Sequence, residues 1–593
     1  MRAINKIKVM YQGELLTKTV RSLLKKTGLI KAVKKIPRRS TFSFREHFVG
    51  FDKDILDGSL NGSSCADFSN FELMGEKINL LQYHFEDCSE QAKWFYVQLP
   101  RSSDVRTKWE VNRLQFLSLM AICYLETNNI ELLTKIEELI EEWYRKNPFD
   151  TGINWVSNLE VSIRSISLTL VYLLMKPNIK ELPLKEMLFE HMFHIGKDIR
   201  YTQHCMPNNH LTGEATALYI LCNLIEYKES SKWIKKSRQI LLDQLEFIRD
   251  DGTFLEASVS YHRFVLQMYI LVYFFSRKSG DELLQKQIFE KLSKSYIFLR
   301  TIQKPDLSFP QFGDSDDGLF YRLSAEQPWE YESFMQTLGY IIGHESKRSM
   351  EATVLESLFG HVENTLDEGP KDQYQCSYEI FPDGKYGIYK DNRVYLFINN
   401  QDQVFHSHSD GLSIELSIDG RDVLIDSGTY NYNLDHQLRK YFRSTVAHNT
   451  VYLGFDQSDQ VGTFRWANQP KTVLKKLDNA TGFDGTVLYK NGAVHKRTVM
   501  ISKGEILIED HIKTPTKYIE ANFHFPPNVS VQVVNDREIT LHEVRVLFTS
   551  DKDFQMKVTE SYYSPSYNKL LKRKNIKIIS KENEQILRTK FIF

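Results

Sequence analysis

Three stretches of the chain concentrate the side chains that carry chemistry. The densest is FHSHSDGLSIEL (405–416), followed by VLIDSGTY (423–430) and YFRSTVAHNTV (441–451). His406 and His408 stand two apart, so on a strand they project from one face, with Asp410 beyond them. Two neutral imidazoles and a carboxylate suit Zn²⁺. Asp426 and His448 come from later segments that adjacent strands would bring alongside. The same residues also serve as a polar face of hydrogen-bonded histidines, and spacing alone does not choose between the two.

In PNNHLTGE (207–214), Asn208, Asn209 and His210 directly precede an apolar helix starting near Leu211. Tandem Asn there caps a helix. The free N–H groups and the dipole also make such an end a receptor for an anion. In DDGTFLEASVSYHRF (250–264), Gly252 marks a turn, and Glu256, Ser260, Tyr261, His262 and Arg263 follow it as either packed side chains or the lining of a polar cleft. WEVNR (109–113) and NWVSNLEVSIR (154–164) are open to two readings. Asn154 and Trp155 would meet a sugar and Arg164 an anionic group, or Glu110–Arg113 and Glu160–Arg164 are ordinary ion pairs along a helix. FGDSDDG (312–318) lacks the spacing of an EF-hand and reads as a loop shaping a cleft.

The elements that must position these residues fall into two halves. The chain has 593 residues, and single cores rarely exceed ~250–300 residues, so more than one domain is expected. From about Lys77 to Val362 apolar residues recur at helical spacing, as in LEVSIRSISLTLVYLLM (159–175) and FVLQMYILVYFFS (264–276). Some of these helices are apolar nearly all round, as inner helices are. Successive antiparallel pairs predict a toroid or solenoid of hairpins. After about Gln373 the runs alternate or are β-branched and are separated by short turns such as Asp419-Gly420 and Lys503-Gly504, which predicts a large antiparallel sandwich. The expected organisation is multidomain, α then β: a basic arm over 1–60, a helical domain over 61–370 and a β domain over 371–593.

Lys+Arg and Asp+Glu both total 76. No global charge steers the protein to nucleic acid, and an acidic polymer must be met by a local cleft. The six cysteines show no CxxC spacing and are expected to be buried free thiols in a reducing compartment. No signal peptide is read at the start and no membrane-spanning segment later, so a cytoplasmic location is expected. The near miss, Val161 to Met175, carries Arg164 and reads as a buried helix. The first forty residues hold twelve Lys/Arg against one acid, Glu14, with Val20, Leu23, Leu24 and Val33 among them. That pattern is either a solvated basic arm or a peripheral contact with a membrane or other anionic partner.

NNHLTGEATAL, DDGTFLEASVSYH, FHSHSDGLSIEL, VLIDSGTY and RSTVAHNTV together resemble the heparinase II/III-like family of polysaccharide lyases. RTKWEVNR (106–113), INWVSNLEVSIR (153–164) and FGDSDDG add to the likeness, which runs from about Asp104 to Asp459. The resemblance implies an incomplete α/α toroid followed by an antiparallel β-sandwich, with the active site between them. It also implies that Asn209 and His210 face a substrate carboxylate, that Tyr261 and His406 transfer protons, and that His408, Asp426 and His448 hold a structural zinc. Glu214, one turn after His210, would orient it, and Arg263 would serve the same cleft.

The chemistry so implied is β-elimination from an acidic, uronic-acid-containing polysaccharide. Removing the C5 proton next to a carboxylate builds a dianion whose charge must be met, and the Asn209/His210 pair suits that task. A phenol has a pKa near ~10, so Tyr261 needs a cationic neighbour to act as base, or else His406 is the base and Tyr261 the acid. Two rivals remain at this level. A glycoside hydrolase would use Glu214 and Glu256 as its carboxylates. A cytoplasmic glycan-binding or processing protein of capsule or exopolysaccharide synthesis would bind or trim a precursor made by the cell itself.

Overall fold

A computed structural model describes residues 14–26, 42–45, 48, 51–57, 65–87, 92–99, 104–176, 178–179, 183–362 and 376–593. The longer helices are α1 (Glu14–Lys26), α2 (Val105–Asn112), α3 (Phe116–Thr127), α4 (Ile130–Lys146), α5 (Asn158–Met175), α6 (Leu184–Cys205), α7 (Asn209–Leu224), α8 (Ser230–Leu245), α9 (Val259–Ser279), α10 (Glu282–Ile302), α11 (Glu332–Ile341) and α12 (Met350–Phe359).

From α3 to α10 the helices pack as successive hairpins: α3 with α4, α5 with α6, α7 with α8, and α9 with α10. The first member of each pair also touches the first member of the next, which makes an inner ring. Sequence dictates which helix lies inside. Every residue of α5 is buried, as is all of α7 except His210. By contrast α4 buries one stripe (Leu132, Leu133, Ile136, Leu139, Ile140, Trp143) and turns its Glu-rich side to water. α5 is long and apolar enough to cross a membrane, yet it is wholly enclosed by its neighbours.

The β half begins at Ser377; the expected boundary at 370/371 falls outside the described residues. Its first sheet runs β1 (Ser377–Phe381), β2 (Tyr386–Lys390), β3 (Val394–Asn399), β4 (Ser413–Ile418), β5 (Arg421–Leu424), every neighbour antiparallel. Then come β6 (Val451–Tyr452), β7 (Lys471–Lys476), β8 (Gly482–Leu488), β9 (Val494–Ser502), β10 (Glu505–Lys513), β11 (Ile519–His524), β12 (Val531–Asn535), β13 (Glu538–Leu541), β14 (Val544–Ser550), β15 (Gln555–Tyr563), β16 (Leu571–Ser580) and β17 (Glu584–Ile592). These form an eight-stranded sheet, β7-β8-β9-β10-β17-β14-β13-β12, and a four-stranded sheet, β6-β11-β16-β15. Alternation in β9 and β10 places Val499, Ile501, Ile506, Ile508 and Ile512 in the core between sheets. This is the expected architecture, a helical toroid followed by an antiparallel sandwich.

The halves are joined by an apolar seam at the first sheet. Phe298 packs on Phe381 and Tyr386, and Phe312 on Tyr386 and Phe397, with ring centres 4.8–5.7 Å apart. Tyr395 donates to the carbonyl of Ile302, at the end of α10.

One expectation fails. Cys65 and Cys123 are joined as a disulfide, because the segment from Cys65 folds back over α3. A separation of 58 residues leaves no spacing signature, and the bond removes the cysteine argument for a reducing compartment. Cys205 and Cys222 are buried thiols and Cys376 an exposed one; Cys88 lies outside the described residues.

Candidate active site

The catalytic candidates meet where the β3–β4 loop of the second half enters the toroid. Asn208 caps α7, its side chain accepting from the backbone N–H of His210, so Asn209 is the first helical residue. Asn209 is 1% exposed and is held twice by Glu256: its backbone N–H and its Nδ2 each donate to that carboxylate at 2.6 Å. Nδ2 also lies 3.4 Å from His406 Nε2. Tyr261 sits in the first turn of α9, capped by Ser258. Its ring stacks on the His406 imidazole with centres 3.6 Å apart and planes within 11°. Its hydroxyl is 3.0 Å from the hydroxyl of Tyr432.

Asp314, from the FGDSDDG loop, anchors this group. Oδ2 accepts from His406 Nδ1 at 3.2 Å, Oδ1 from His408 Nε2 at 3.0 Å, and Arg439 grips both oxygens. The backbone closes the same contact, with Asp314 N–H donating to His406 C=O at 2.7 Å. That approach needs Gly313, whose φ is +69° and where a Cβ would lie 2.2 Å from the carbonyl of Ala257. Burial opposes the charge on Asp314, but the Arg439 guanidinium and the hydrogen bonds from His406 and His408 together outweigh it and hold the carboxyl well below the usual range. Burial pushes the Tyr261 phenol well above its ordinary value, with Asp316 and Asp314 adding to the effect. Burial lowers His210 to about 4, so it is neutral near pH 7.

His408, Asp426 and His448 offer ligand atoms that all lie within 4.8 Å of one another, and all three are buried. Their donor set fits a cation. His408 Nδ1 is buried with no hydrogen-bond partner while its Nε2 is oriented by Asp314; His448 Nε2 is open in the same way, and its Nδ1 lies 2.6 Å from Asp426, itself a member of the group. A ring nitrogen left open while its twin is so held is the usual arrangement of a metal-binding histidine. Two His and one Asp around a common point can therefore hold a metal ion.

The other expected residues are placed differently. Trp155 is 1% exposed, packed among Phe149, Trp143, His191 and His194, and has no free face for a sugar. Arg164, also 1% exposed, lies over Trp143 and spends its donors on His191 and the carbonyls of Asn112 and Asn154. The expected Glu160–Arg164 pair gives way to a bidentate Glu160–Arg113 pair at 2.7 Å. Arg113 also pairs with Glu110, as expected of the helix. Asn154 donates to Asn112 and Asn147 and borders a cavity of about 640 Å³ on the toroid. Glu214 accepts from Asn158 and Thr202. Arg263 points away from Tyr261, stacking on Tyr331 and donating to the carbonyl of Glu330. Glu256, read earlier only as a cleft or hydrolase residue, is instead the partner of Asn209. Arg439 and Tyr432 had no local signal at all.

Two family descriptions match in tandem: the heparinase II/III N-terminus over residues 69–327 and the heparinase II/III-like C-terminal domain over 377–590. Among characterised proteins, a heparin-sulfate lyase of Pedobacter heparinus is 24% identical over 447 residues, covering 72% of this chain and 63% of the relative. The chain thus spans less than two thirds of that relative's length. A heparin-sulfate lyase of Bacteroides stercoris is 21% identical, covering 84% of this chain and 76% of the relative. A crystal structure of heparinase III superposes with a TM-score of 0.60 at 15% identity, covering 96% of this chain and 91% of that one. A mutant of a heparan sulfate lyase from Pedobacter heparinus gives 0.56 at 18%, covering 91% and 87%. With both halves of the family matched in order across the seam that carries the site, the chain belongs to the heparinase II/III-like family.

Proposed function

We propose that this protein is a polysaccharide lyase that cleaves a uronic-acid-containing polysaccharide by β-elimination, with His406 as base and Tyr261 as acid. The observation that carries this reading is the stacked His406–Tyr261 pair beside the end of α7. It stacks two side chains capable of proton transfer, ring centres 3.6 Å apart, next to an amide donor. Asp314 accepts at His406 Nδ1, which keeps the proton there and leaves the Nε2 lone pair for the C5 proton of the substrate. Tyr261, kept protonated by burial, then gives its proton to the departing O4 oxygen. Asn209 Nδ2 has a second hydrogen beyond the one committed to Glu256, held only by a long 3.4 Å contact to His406 Nε2 that substrate would replace. Together with neutral His210 it meets the charge growing on the substrate carboxylate.

We assign zinc to the His408/Asp426/His448 group, on the strength of its N/N/O donor set and burial. The ion would supply structure, fixing the loop that presents His406 two residues before His408.

The test is an ultraviolet assay for unsaturated uronate, using heparan-type, chondroitin-type and exopolysaccharide substrates with wild type, Tyr261→Phe and His406→Ala. Signal from at least one acidic polymer, reduced ~10²- to 10⁴-fold in each variant, is the expected result. Saturated reducing ends from any of them would indicate hydrolysis and overturn the proposal. So would activity that survives both substitutions.

A further inference from the structure

Helix α1 is docked with its charged face inward. Glu14 is fully buried; its carboxylate binds Arg465 from the β half at 2.9 Å and Lys18 one turn on. Arg21, seven residues later and so on the same face, pairs with Asp198 of α6 at 3.2 Å. It also lies over the rings of Trp94 and Tyr201, 4.8 and 3.8 Å away. The opposite face is apolar and open: Leu16 is 69% exposed, Val20 47% and Leu23 60%, with Leu15 at 57% beside them. Soluble proteins do the reverse, burying the apolar stripe and wetting the charges.

These partly buried ion pairs hold Leu15, Leu16, Val20 and Leu23 outward while Leu24 packs on the core, which gives a presented surface. In sequence it is flanked by cations, the first forty residues holding twelve Lys/Arg. Lys26 borders the stripe, and Glu14, the only acid among the first forty residues, is neutralised within the fold. We propose that α1 seats the protein on an anionic lipid surface. Leu15, Leu16, Val20 and Leu23 would enter the headgroup–acyl boundary, and Lys26 at the end of the helix would meet the headgroups. Cationic surroundings favour lipid over a second copy of the chain, because two such arms repel.

Flotation of the full chain with vesicles tests this independently of any catalysis. Wild type should float with phosphatidylcholine vesicles containing phosphatidylglycerol, much less with phosphatidylcholine alone, and less again in high salt. Each Lys or Arg near the surface accounts for roughly a fivefold change in partitioning. The triple variant Leu15→Ser/Leu16→Ser/Val20→Ser should lose at least ~10-fold in binding, with an unchanged melting profile because these side chains are exposed. No flotation with anionic vesicles, or equal flotation of the variant, overturns the proposal. So does a concentration-dependent dimer that the variant abolishes without any lipid binding.

Discussion

Asp314→Asn tests the centre of the site. Asp314 is fully buried and faces only donors: Arg439 and His408 at Oδ1, Arg439 and His406 at Oδ2. An asparagine of the same shape must turn an NH₂ toward one of those pairs, so a donor meets donors whichever way the amide points. Arg439, 4% exposed, is left without a counter-charge. Removing one partner of a buried pair costs ~3–5 kcal/mol. Two functional effects should follow and can be separated. Loss of the carboxylate behind His408 should weaken metal binding ~10- to 100-fold. Loss of the one behind His406 frees the imidazole to take the other tautomer, and kcat should fall ~10²- to 10⁴-fold.

The assay is elemental analysis and thermal melting beside lyase kinetics, each repeated with excess metal. Saturating metal should restore the melting temperature in part and leave kcat low, with KM little changed, because Asp314 is not placed to touch substrate. A variant with full metal, near-native melting and kcat within twofold of wild type would refute this role for Asp314.

Two further substitutions probe buried acids whose pH dependences have opposite sign. Burial opposes the charge on Asp510, but Arg497 and His495 hold its carboxyl far below the usual range. Its stabilisation is therefore complete above its unfolded value near ~4 and is lost as the pH falls from there toward the folded value. Asp510→Asn should cost ~3–5 kcal/mol at pH 7 and shrink the acid-induced loss, read from melting against pH. Burial raises Glu351 to about 7. Its protonated form, bonded to the Tyr321 hydroxyl, stabilises the fold below the unfolded value near ~4.3, and that gain fades as the pH rises to about 7. Glu351→Gln should therefore be neutral at pH 4 and more stable by up to ~3 kcal/mol at pH 8. Equal destabilisation at both pH values would show that packing, not charge, governs the position.

What could be read in the sequence was what repeats locally. The apolar runs of α5 and α9 announce inner helices, and the alternation of β9 and β10 announces a sandwich. HxH followed by Asp426 and His448 marked the residues that converge on one point. What could not be read was which charge meets which. Helix spacing offered Arg164 to Glu160 and Glu214 to His210. In the fold Glu160 takes Arg113, 47 residues away, with two parallel bonds, and Glu214 takes Asn158 and Thr202. Inside a low dielectric the partner with the best geometry wins over the nearest in sequence, because an imperfectly paired buried charge is so costly. Asp314 and His406 are 92 residues apart and Cys65 and Cys123 58 apart, and no pattern in the letters encodes either meeting.

The same long-range meeting explains why the site lies at the seam. Asn209, Glu256 and Tyr261 belong to the toroid, and His406, His408 and Arg439 to the β half. Asp314 is a toroid residue whose carboxylate and backbone N–H are met by the other half, while its carbonyl accepts from Ser258 of the toroid. Neither half alone can satisfy it. An unpaired buried carboxylate and an unpaired buried Arg439 each oppose separation of the halves, so docking and assembly of the stacked Tyr261–His406 pair are one event. Arg497 extends this order behind the metal group, donating at 2.7 Å to both Leu412 C=O and Asn449 C=O. These carbonyls follow the His408 and His448 segments, so a pair deep in the sandwich fixes the spacing of two histidines it never touches. A substitution at Arg497 or Asp510 should therefore lower metal content before it disturbs the toroid.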